Sequence, residues 1–167
     1  YNNDLNNSEI KCSDLYISTK TKIIYIDKLI DIYNIFWKIP ILKYYEQQSG
    51  IIKKQIKISL KNKEESNNID KIIENINSYK KIISLNYIDN PYGRIIYKDI
   101  RKITIGLSKK DLLFTKNNNK SAFYNCFVLT MRLFDENIFK EFHIKIFNTG
   151  KIEIPGVQND TIVYKIL

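Results

Sequence analysis

The chain is poor in the residues that build metal sites, disulfide frameworks and nucleophile motifs. It contains two cysteines and one histidine among 167 residues. Cys12 and Cys126 are far apart and form no CxxC spacing, and His143 has no second histidine or neighbouring cysteine to complete a ligand set. The sequence therefore predicts no metal site, no disulfide framework and no cofactor.

Motifs of catalysis are missing as well. The sequence has no Gly-rich phosphate loop and no HExxH helix, and its serine, cysteine and histidine residues form no recognisable nucleophile motif. Asp135 and Glu136 lie together in a turn-forming stretch, where a solvated loop is the ordinary explanation. We therefore expect no enzyme activity.

Long apolar runs are also absent. No window approaches the roughly 18 to 20 apolar residues of a transmembrane helix, and the chain does not open on a secretory signal pattern. A hydrophobic fraction of 44% in 167 residues nevertheless suffices for the core of one domain, with or without insertions. We expect a soluble, intracellular protein without a membrane partner.

What the chain has in excess is positive charge. The formal net charge of +9 arises from 27 Lys and Arg against 18 Asp and Glu, spread over several segments. This distribution favours an anionic partner, nucleic acid first. A lysine-rich genome bias, visible also in the abundance of Asn and Ile, is the alternative explanation.

The first third of the chain predicts a strand followed by a helix. Residues 1–13 are polar and indicate a disordered lead-in, and residues 14–26 are rich in β-branched residues, as in a strand or a bent pair of strands. Asp27 is positioned to cap a helix over 28–37 that ends before Pro40. Its apolar residues at helical spacing are Leu29, Ile32, Tyr33 and Phe36.

The middle of the chain alternates between strands and solvated stretches. Residues 51–60 predict a half-buried strand. Ile52, Ile56, Ile58 and Leu60 occupy its inner face, and Lys53, Gln55, Lys57 and Ser59 its basic outer face. Residues 61–68 indicate a surface loop, and residues 69–80 a short helix, although 80–88 fits a strand equally well.

The next segment predicts a turn, strand and capped helical turn. Residues 90–94, "NPYGR", have turn chemistry. Residues 94–108 predict one or two strands, and Ser108 is positioned to cap a helical turn over 108–114. A second solvated loop is expected at 116–121.

The final block predicts three antiparallel strands. Phe127, Leu129, Met131 and Leu133 alternate with Cys126, Val128, Thr130 and Arg132, and a "DEN" turn leads into the strand that ends at Phe147. If Asn-Thr-Gly is a three-residue loop with Gly150 in the left-handed region, Phe147 lies opposite Lys151 and the apolar alternates share one face. A two-residue Thr-Gly turn would split them.

The preferred register leaves one face of the last hairpin basic and aromatic. This face carries His143, Lys145, Phe147, Lys151, Glu153 and Pro155. Basic groups on such a sheet take phosphates, and aromatic side chains stack on bases or wedge between them. The alternative is that Phe147 simply packs under a loop.

Several stretches resemble one lobe of the TATA-box-binding protein (TBP) family. "FVLTMRL", "HIKIFNTGKIEIPGV" and "QNDTIVYKIL" resemble its strand, strand, hairpin and closing helix, and "YISTKT" resembles its first strand. The "IPGVQND" ending most resembles the TBP-like proteins of large nucleocytoplasmic DNA viruses. The resemblance covers residues 14–38 and 123–167.

The resemblance implies an α+β fold, a curved antiparallel β-sheet with helices on its convex face and DNA on its concave face. A single lobe over 14–167 would carry an insertion at about 39–122, and a lone lobe would pair with a second lobe or a second copy. The DNA-binding residues so implied are Phe147, Lys145, Lys151, Arg132, Phe127, Val128, Thr130, Ile17, Thr19 and Pro155.

The match to the family pattern has three departures. Cys126 occupies the position of the first wedge phenylalanine, so Phe127 reaches the DNA face only through a β-bulge. Leu15 or Asp14 replaces the family's base-contacting asparagine, and Pro155 a base-contacting threonine. They favour an alternative, a protein-interaction module that has lost TATA recognition.

The resemblance also implies partners and a location. The expected partners are AT-rich promoter DNA and an RNA polymerase or TFIIB-like factor. The expected location is the site of viral transcription, in the host cytoplasm, a virus factory or the virion, or in the nucleus.

Overall fold

A computed structural model describes residues 12–76, 87–89, 97–114 and 122–167. Its elements are β1 (Thr21–Tyr25), α1 (Ile32–Lys38), β2 (Gly50–Leu60), α2 (Lys63–Glu74), β3 (Tyr87–Asp89), β4 (Lys98–Gly106), α3 (Lys109–Leu113), β5 (Cys126–Asp135), β6 (Ile138–Phe147), β7 (Lys151–Pro155) and α4 (Asp160–Ile166). The predictions for 90–94 and 116–121, and most of the predicted lead-in, lie outside the described residues.

The strands form one antiparallel, unclosed sheet in the order β1-β7-β6-β5-β2-β4-β3. The predicted α+β class with a curved antiparallel sheet is therefore confirmed. Strands β5, β6 and β7 follow one another as the alternation predicts. Strands β2 and β4 belong to the segment interpreted as an insertion, yet they extend this same sheet beyond β5.

The hydrophobic core lies between one face of the sheet and helices α1, α2 and α4. Phe36 of α1 packs edge-on against Phe127 of β5, with ring centroids 6.1 Å apart. Three residues of the predicted inner face of β2, Ile56, Ile58 and Leu60, are confirmed in the core, whereas Ile52 is buried outside this cluster, at the β-bulge between Ile51 and Lys53. Val163 of α4 and the partly buried Ile69 of α2 join the same cluster.

Helix α1 begins later than the sequence suggests. Its N-cap is Asp31, whose Oδ1 accepts a hydrogen bond from the backbone N–H of Asn34 at 3.1 Å. The prediction of Asp27 as the cap is wrong, because the first turn of the core-facing stripe starts at Ile32. Leu29, which the helical spacing included, is exposed.

The C-terminal end of α1 is tied to the sheet by Lys54. This lysine is buried, and its Nζ donates to the carbonyl oxygens of Phe36 at 2.6 Å and Ile39 at 2.8 Å. A buried ammonium group is stabilised there because the last carbonyls of a helix lack intrahelical partners and carry partial negative charge.

The surface loop predicted at 61–68 is instead the start of α2. Asn62 accepts from the backbone N–H of Glu65 at 2.9 Å, and the Glu65 carboxylate accepts from the backbone N–H of Lys61 at 2.8 Å. This reciprocal pair satisfies amides that would otherwise lack partners at the helix start. The helix predicted over 69–80 is correct as far as Glu74.

Two other local predictions are confirmed. Strand β4 lies within the predicted strand region, and Ser108 caps α3 in a capping box with Asp111. Asp111 accepts from the Ser108 backbone N–H at 2.8 Å and from its hydroxyl at 2.6 Å.

The two terminal hairpins have the predicted turns. Glu136 and Asn137 adopt positive φ in the two-residue turn between β5 and β6. Gly150 has φ +85°, and its N–H donates to the Phe147 carbonyl at 3.1 Å. A Cβ at Gly150 would collide with the carbonyl oxygen of Ile26, so glycine is required by the turn and by the neighbouring chain.

Candidate nucleic-acid interface

The side of the sheet opposite α1, α2 and α4 carries most of the predicted site. We call it the open face. The strand pairing places on it Thr21, Ile23 and Tyr25 of β1, Lys151, Glu153 and Pro155 of β7, His143, Lys145 and Phe147 of β6, Cys126, Val128, Thr130 and Arg132 of β5, and Lys53, Gln55 and Lys57 of β2.

The predicted register of the last hairpin is confirmed. Lys145 pairs with Glu153 and Ile146 with Ile152, which sets Phe147 opposite Lys151. Phe147 is half-buried on the open face, and the Lys151 Nζ lies 5.5 Å from its ring centroid. The aromatic and the basic group therefore form one contact surface.

Arg132 does not belong to that surface. Its guanidinium is buried at the other end of the open face, under the segment that joins α1 to β2. It donates to the carbonyl oxygens of Tyr44 at 2.7 Å and Gln48 at 3.3 Å, and also to that of Glu46. The prediction that Arg132 contacts phosphates is contradicted, because this loop uses its donors.

Phe127 is a second correction. It is fully buried and pairs with Ile146 in an unbroken β5–β6 ladder. The bulge needed to turn it toward the open face does not occur, and its ring packs against Phe36 in the core. Cys126 takes the open-face position directly opposite Phe147.

The residues assigned to the first strand are a third correction. Only Thr21–Tyr25 of the predicted 14–26 strand pairs with β7, and Ile17 and Thr19 lie before the ladder. The apolar open-face residues of β1 are Ile23 and Tyr25, which are 49% and 71% exposed. They are not among the residues predicted from the sequence, although their alternation with Ile24 could have identified them.

Helix α3 covers the centre of the open face, which explains why β2 lacks a free basic outer face. Lys53 is buried and its Nζ binds both oxygens of Asp111, at 2.8 and 2.6 Å. The backbone N–H of Lys109 donates to the Glu141 carboxylate at 2.9 Å. Strands β2 and β6 are therefore both attached to α3, which is the one helix of the described ranges on this side of the sheet.

Thr130 and His143 lie on the open face beside these contacts with α3. The Thr130 hydroxyl is 3.3 Å from His143 Nδ1, and Thr130 is buried. Although the His143 side chain is exposed, desolvation by surrounding protein and then the charge of Lys53 lower its pKa. Because Thr130 is buried, its hydroxyl is not accessible to a partner. The lowered pKa of His143 favours its neutral form.

The accessible charges at the Phe147 end are tightly paired. Glu153 lies between Lys151 at 2.7 Å and Lys145 at 3.4 Å. The hydrogen bond from Lys151 lowers the pKa of Glu153, and the same bond raises the pKa of Lys151. This end of the face therefore carries two lysines partly neutralised by one carboxylate, beside half-buried Val128 and Pro155.

The described residues contain neither a metal-binding cluster nor a helix that could cross a membrane. Across the described ranges, no cluster of three His, Cys, Asp or Glu residues has metal-binding geometry. Cys126 is a buried free thiol, and burial raises its pKa. Among the described helices, none is sufficiently long and apolar to span a bilayer.

Comparison with models of protein families, with curated proteins and with solved structures finds no match to this chain.

Proposed function

We propose that this protein is a TBP-like transcription initiation factor that binds AT-rich promoter DNA through the Phe147 end of the open face. The observation that carries the proposal is the position of Phe147. It is half-buried on the open face, between Lys145 on its own strand and Lys151 on the next. Sequence motifs of the last hairpin supply the family resemblance.

The chemistry of this end fits a minor-groove contact. Lys145 and Lys151 would take phosphates, and Phe147 would stack on bases or wedge into a base step. Unstacking one step costs a few kcal/mol, which the bent duplex recovers by meeting more protein surface. Ile23 and Tyr25 extend the same exposed surface across β7 to β1.

The proposed footprint is narrower than the full face. Helix α3 and the loop over Arg132 occupy the centre and the opposite end. A duplex would therefore contact β1, β7 and the Phe147 end of β6, and Arg132 and Phe127 would not take part.

The test is a fluorescence anisotropy titration of the purified chain with AT-rich and GC-rich duplexes at two salt concentrations. We expect salt-dependent binding, tighter to the AT-rich duplex, and about tenfold weaker binding for Phe147→Ala. Phe134→Ala is the matched control, because Phe134 is an exposed aromatic at the distal hairpin tip. Binding that is independent of salt and equally tight for Phe147→Ala and Phe134→Ala would refute the proposal.

A protein-interaction module in a transcription complex is the second candidate function. It is favoured by the sequestered guanidinium of Arg132, which removes one expected phosphate contact, and by the exposed apolar pair Ile23 and Tyr25. Under this alternative the titration shows no DNA binding, while the chain captures a purified RNA polymerase or TFIIB-like factor. Ile23→Asp would then abolish capture.

A further inference from the structure

Tyr124 lies just before β5 and contacts side chains of two other strands, β2 and β4, on the open face. Its hydroxyl donates to Oδ2 of Asp99 on β4 at 2.7 Å. The Nζ of Lys57 on β2 lies 3.7 Å from its ring centroid and 3.5 Å from the same Asp99 oxygen. The ring is therefore held by a hydrogen bond at its tip and a cation–π contact at its centre.

Despite these contacts Tyr124 remains 43% exposed as a residue. Lys57, in contrast, has a side chain only 12% exposed, so it buttresses the ring rather than reaching a phosphate. A pre-positioned aromatic surface loses little conformational entropy when a partner binds. Tyr124 therefore has the properties of a binding residue.

Asp99 is only partly satisfied by its hydrogen bonds. It is 2% exposed, and its Oδ1 is buried without a hydrogen-bond partner among the described residues. Leaving a buried carboxylate oxygen unsatisfied is unfavourable for folding. What Asp99 does provide is a fixed acceptor for Tyr124 and a counter-charge for Lys57.

Tyr124 also lies close to the proposed DNA contact. It precedes Cys126 by two residues, about 7 Å along a strand, and Cys126 stands opposite Phe147. The ladder continues between them, because the backbone N–H of Asn148 donates to the Asn125 carbonyl at 2.9 Å.

We infer that Tyr124 is a second aromatic contact for duplex DNA beside Phe147, and that Asp99 and Lys57 are its positioning residues. The inference rests on the proposed function of the open face. In this inference the ring of Tyr124, two residues before Cys126, provides the stacking surface that the Cys126 side chain cannot provide.

The experiment compares Tyr124→Ala, Tyr124→Phe and Asp99→Asn with Tyr164→Ala. Tyr164 is a control on α4, a residue that is 79% exposed on the other side of the sheet. Affinity for an AT-rich duplex is measured by anisotropy at several salt concentrations. A duplex carrying 2-aminopurine reports base unstacking by its fluorescence, and urea denaturation reports stability.

We expect Tyr124→Ala to weaken binding about tenfold and to reduce the 2-aminopurine signal, without changing the salt slope, because stacking releases no counterions. Tyr124→Phe should lose less, since the ring remains. Asp99→Asn should lower stability, because Lys57 loses its counter-charge, and should also weaken binding by the fully folded protein about threefold, because Tyr124 loses its fixed acceptor. A purely structural role for Asp99 would lower stability and leave the affinity of the folded protein unchanged.

The outcomes separate this inference from the proposed function. If the wild type binds DNA and Phe147→Ala weakens it, but Tyr124→Ala binds like Tyr164→Ala, the inference is wrong and the proposed function stands. If the wild type binds no duplex, both are wrong. Should Tyr124→Ala fail to fold, Tyr124→Leu fills the site and must show the same loss of affinity and 2-aminopurine signal.

Discussion

Cys126 and Phe147 stand directly opposite each other on β5 and β6, on the open face of the sheet. The next residue along β5, Phe127, points the other way and is fully buried against Phe36. Two phenylalanines that look equivalent in the sequence therefore occupy opposite sides of one sheet. Their substitution should separate folding from binding.

The first prediction concerns these two phenylalanines. Phe127→Ala should lower the free energy of unfolding by about 3 to 5 kcal/mol, because it leaves a cavity in the core. Phe147→Ala should cost much less stability, since its ring is only half-buried. Urea denaturation measures both, and Phe36→Ala is the core control. Equal losses for Phe127 and Phe147 would contradict the assigned faces.

The second prediction concerns the carboxylate between two lysines. Glu153→Gln should free Lys151 and Lys145 from their ion pairs and raise affinity for duplex DNA about three- to tenfold at low salt. The salt slope should steepen as well, because more lysine charge reaches phosphates. Anisotropy titrations measure both effects, and Glu64→Gln is the control because Glu64 is an exposed carboxylate on α2. An unchanged slope would mean that these lysines do not meet phosphates.

The sequence predicts which side chains lie on the open face better than it predicts which of them are covered by other parts of the chain. The register that pairs Phe147 with Lys151 follows from local turn chemistry, since Gly150 alone can adopt the required φ. The burial of Arg132 does not, because its partners are backbone carbonyls more than 80 residues away. Strand alternation identifies two faces, but loops distant in sequence decide which face water reaches.

Helix boundaries show the same division. Ser108 is predictable as a cap from its local sequence, and the structure adds its partner Asp111 only three residues away. Asp27 and Asp31 offer equally good cap chemistry, and only the contact of Ile32 with the core selects the second. Tertiary packing thus overrides local preference where two caps compete.

The third prediction gives Arg132 a structural role. Arg132→Met should destabilise the fold by about 3 kcal/mol, because the carbonyl groups of Tyr44, Glu46 and Gln48 lose the buried guanidinium that holds them together. DNA affinity of the folded protein should stay within about twofold of the wild type. Urea denaturation and anisotropy measure the two effects, with Lys145→Met as a control that weakens binding and leaves stability nearly unchanged. A large loss of DNA affinity in the folded Arg132→Met protein would contradict this role and support a contact between Arg132 and a phosphate.

The last prediction concerns the attachment of α3 to the open face at low pH. Burial raises the pKa of Asp111, but the hydrogen bonds from Lys53 and Ser108 outweigh it and hold that pKa below its usual 3.8. A carboxyl group whose folded-state pKa is lowered contributes stability above its unfolded pKa and loses it as the pH falls through the folded value. Attachment of α3 should therefore be complete at pH 5 to 7 and weaken below about pH 4.

Hydrogen exchange of the Leu112 and Phe114 amides, which donate hydrogen bonds within α3, measures this opening after correction for the intrinsic pH dependence of exchange. Asp111→Asn should show fast exchange already at neutral pH and little further change on acidification, and Asp70→Asn should behave as the wild type. If the amides stay protected in Asp111→Asn, the ion pair with Lys53 does not hold α3 in place.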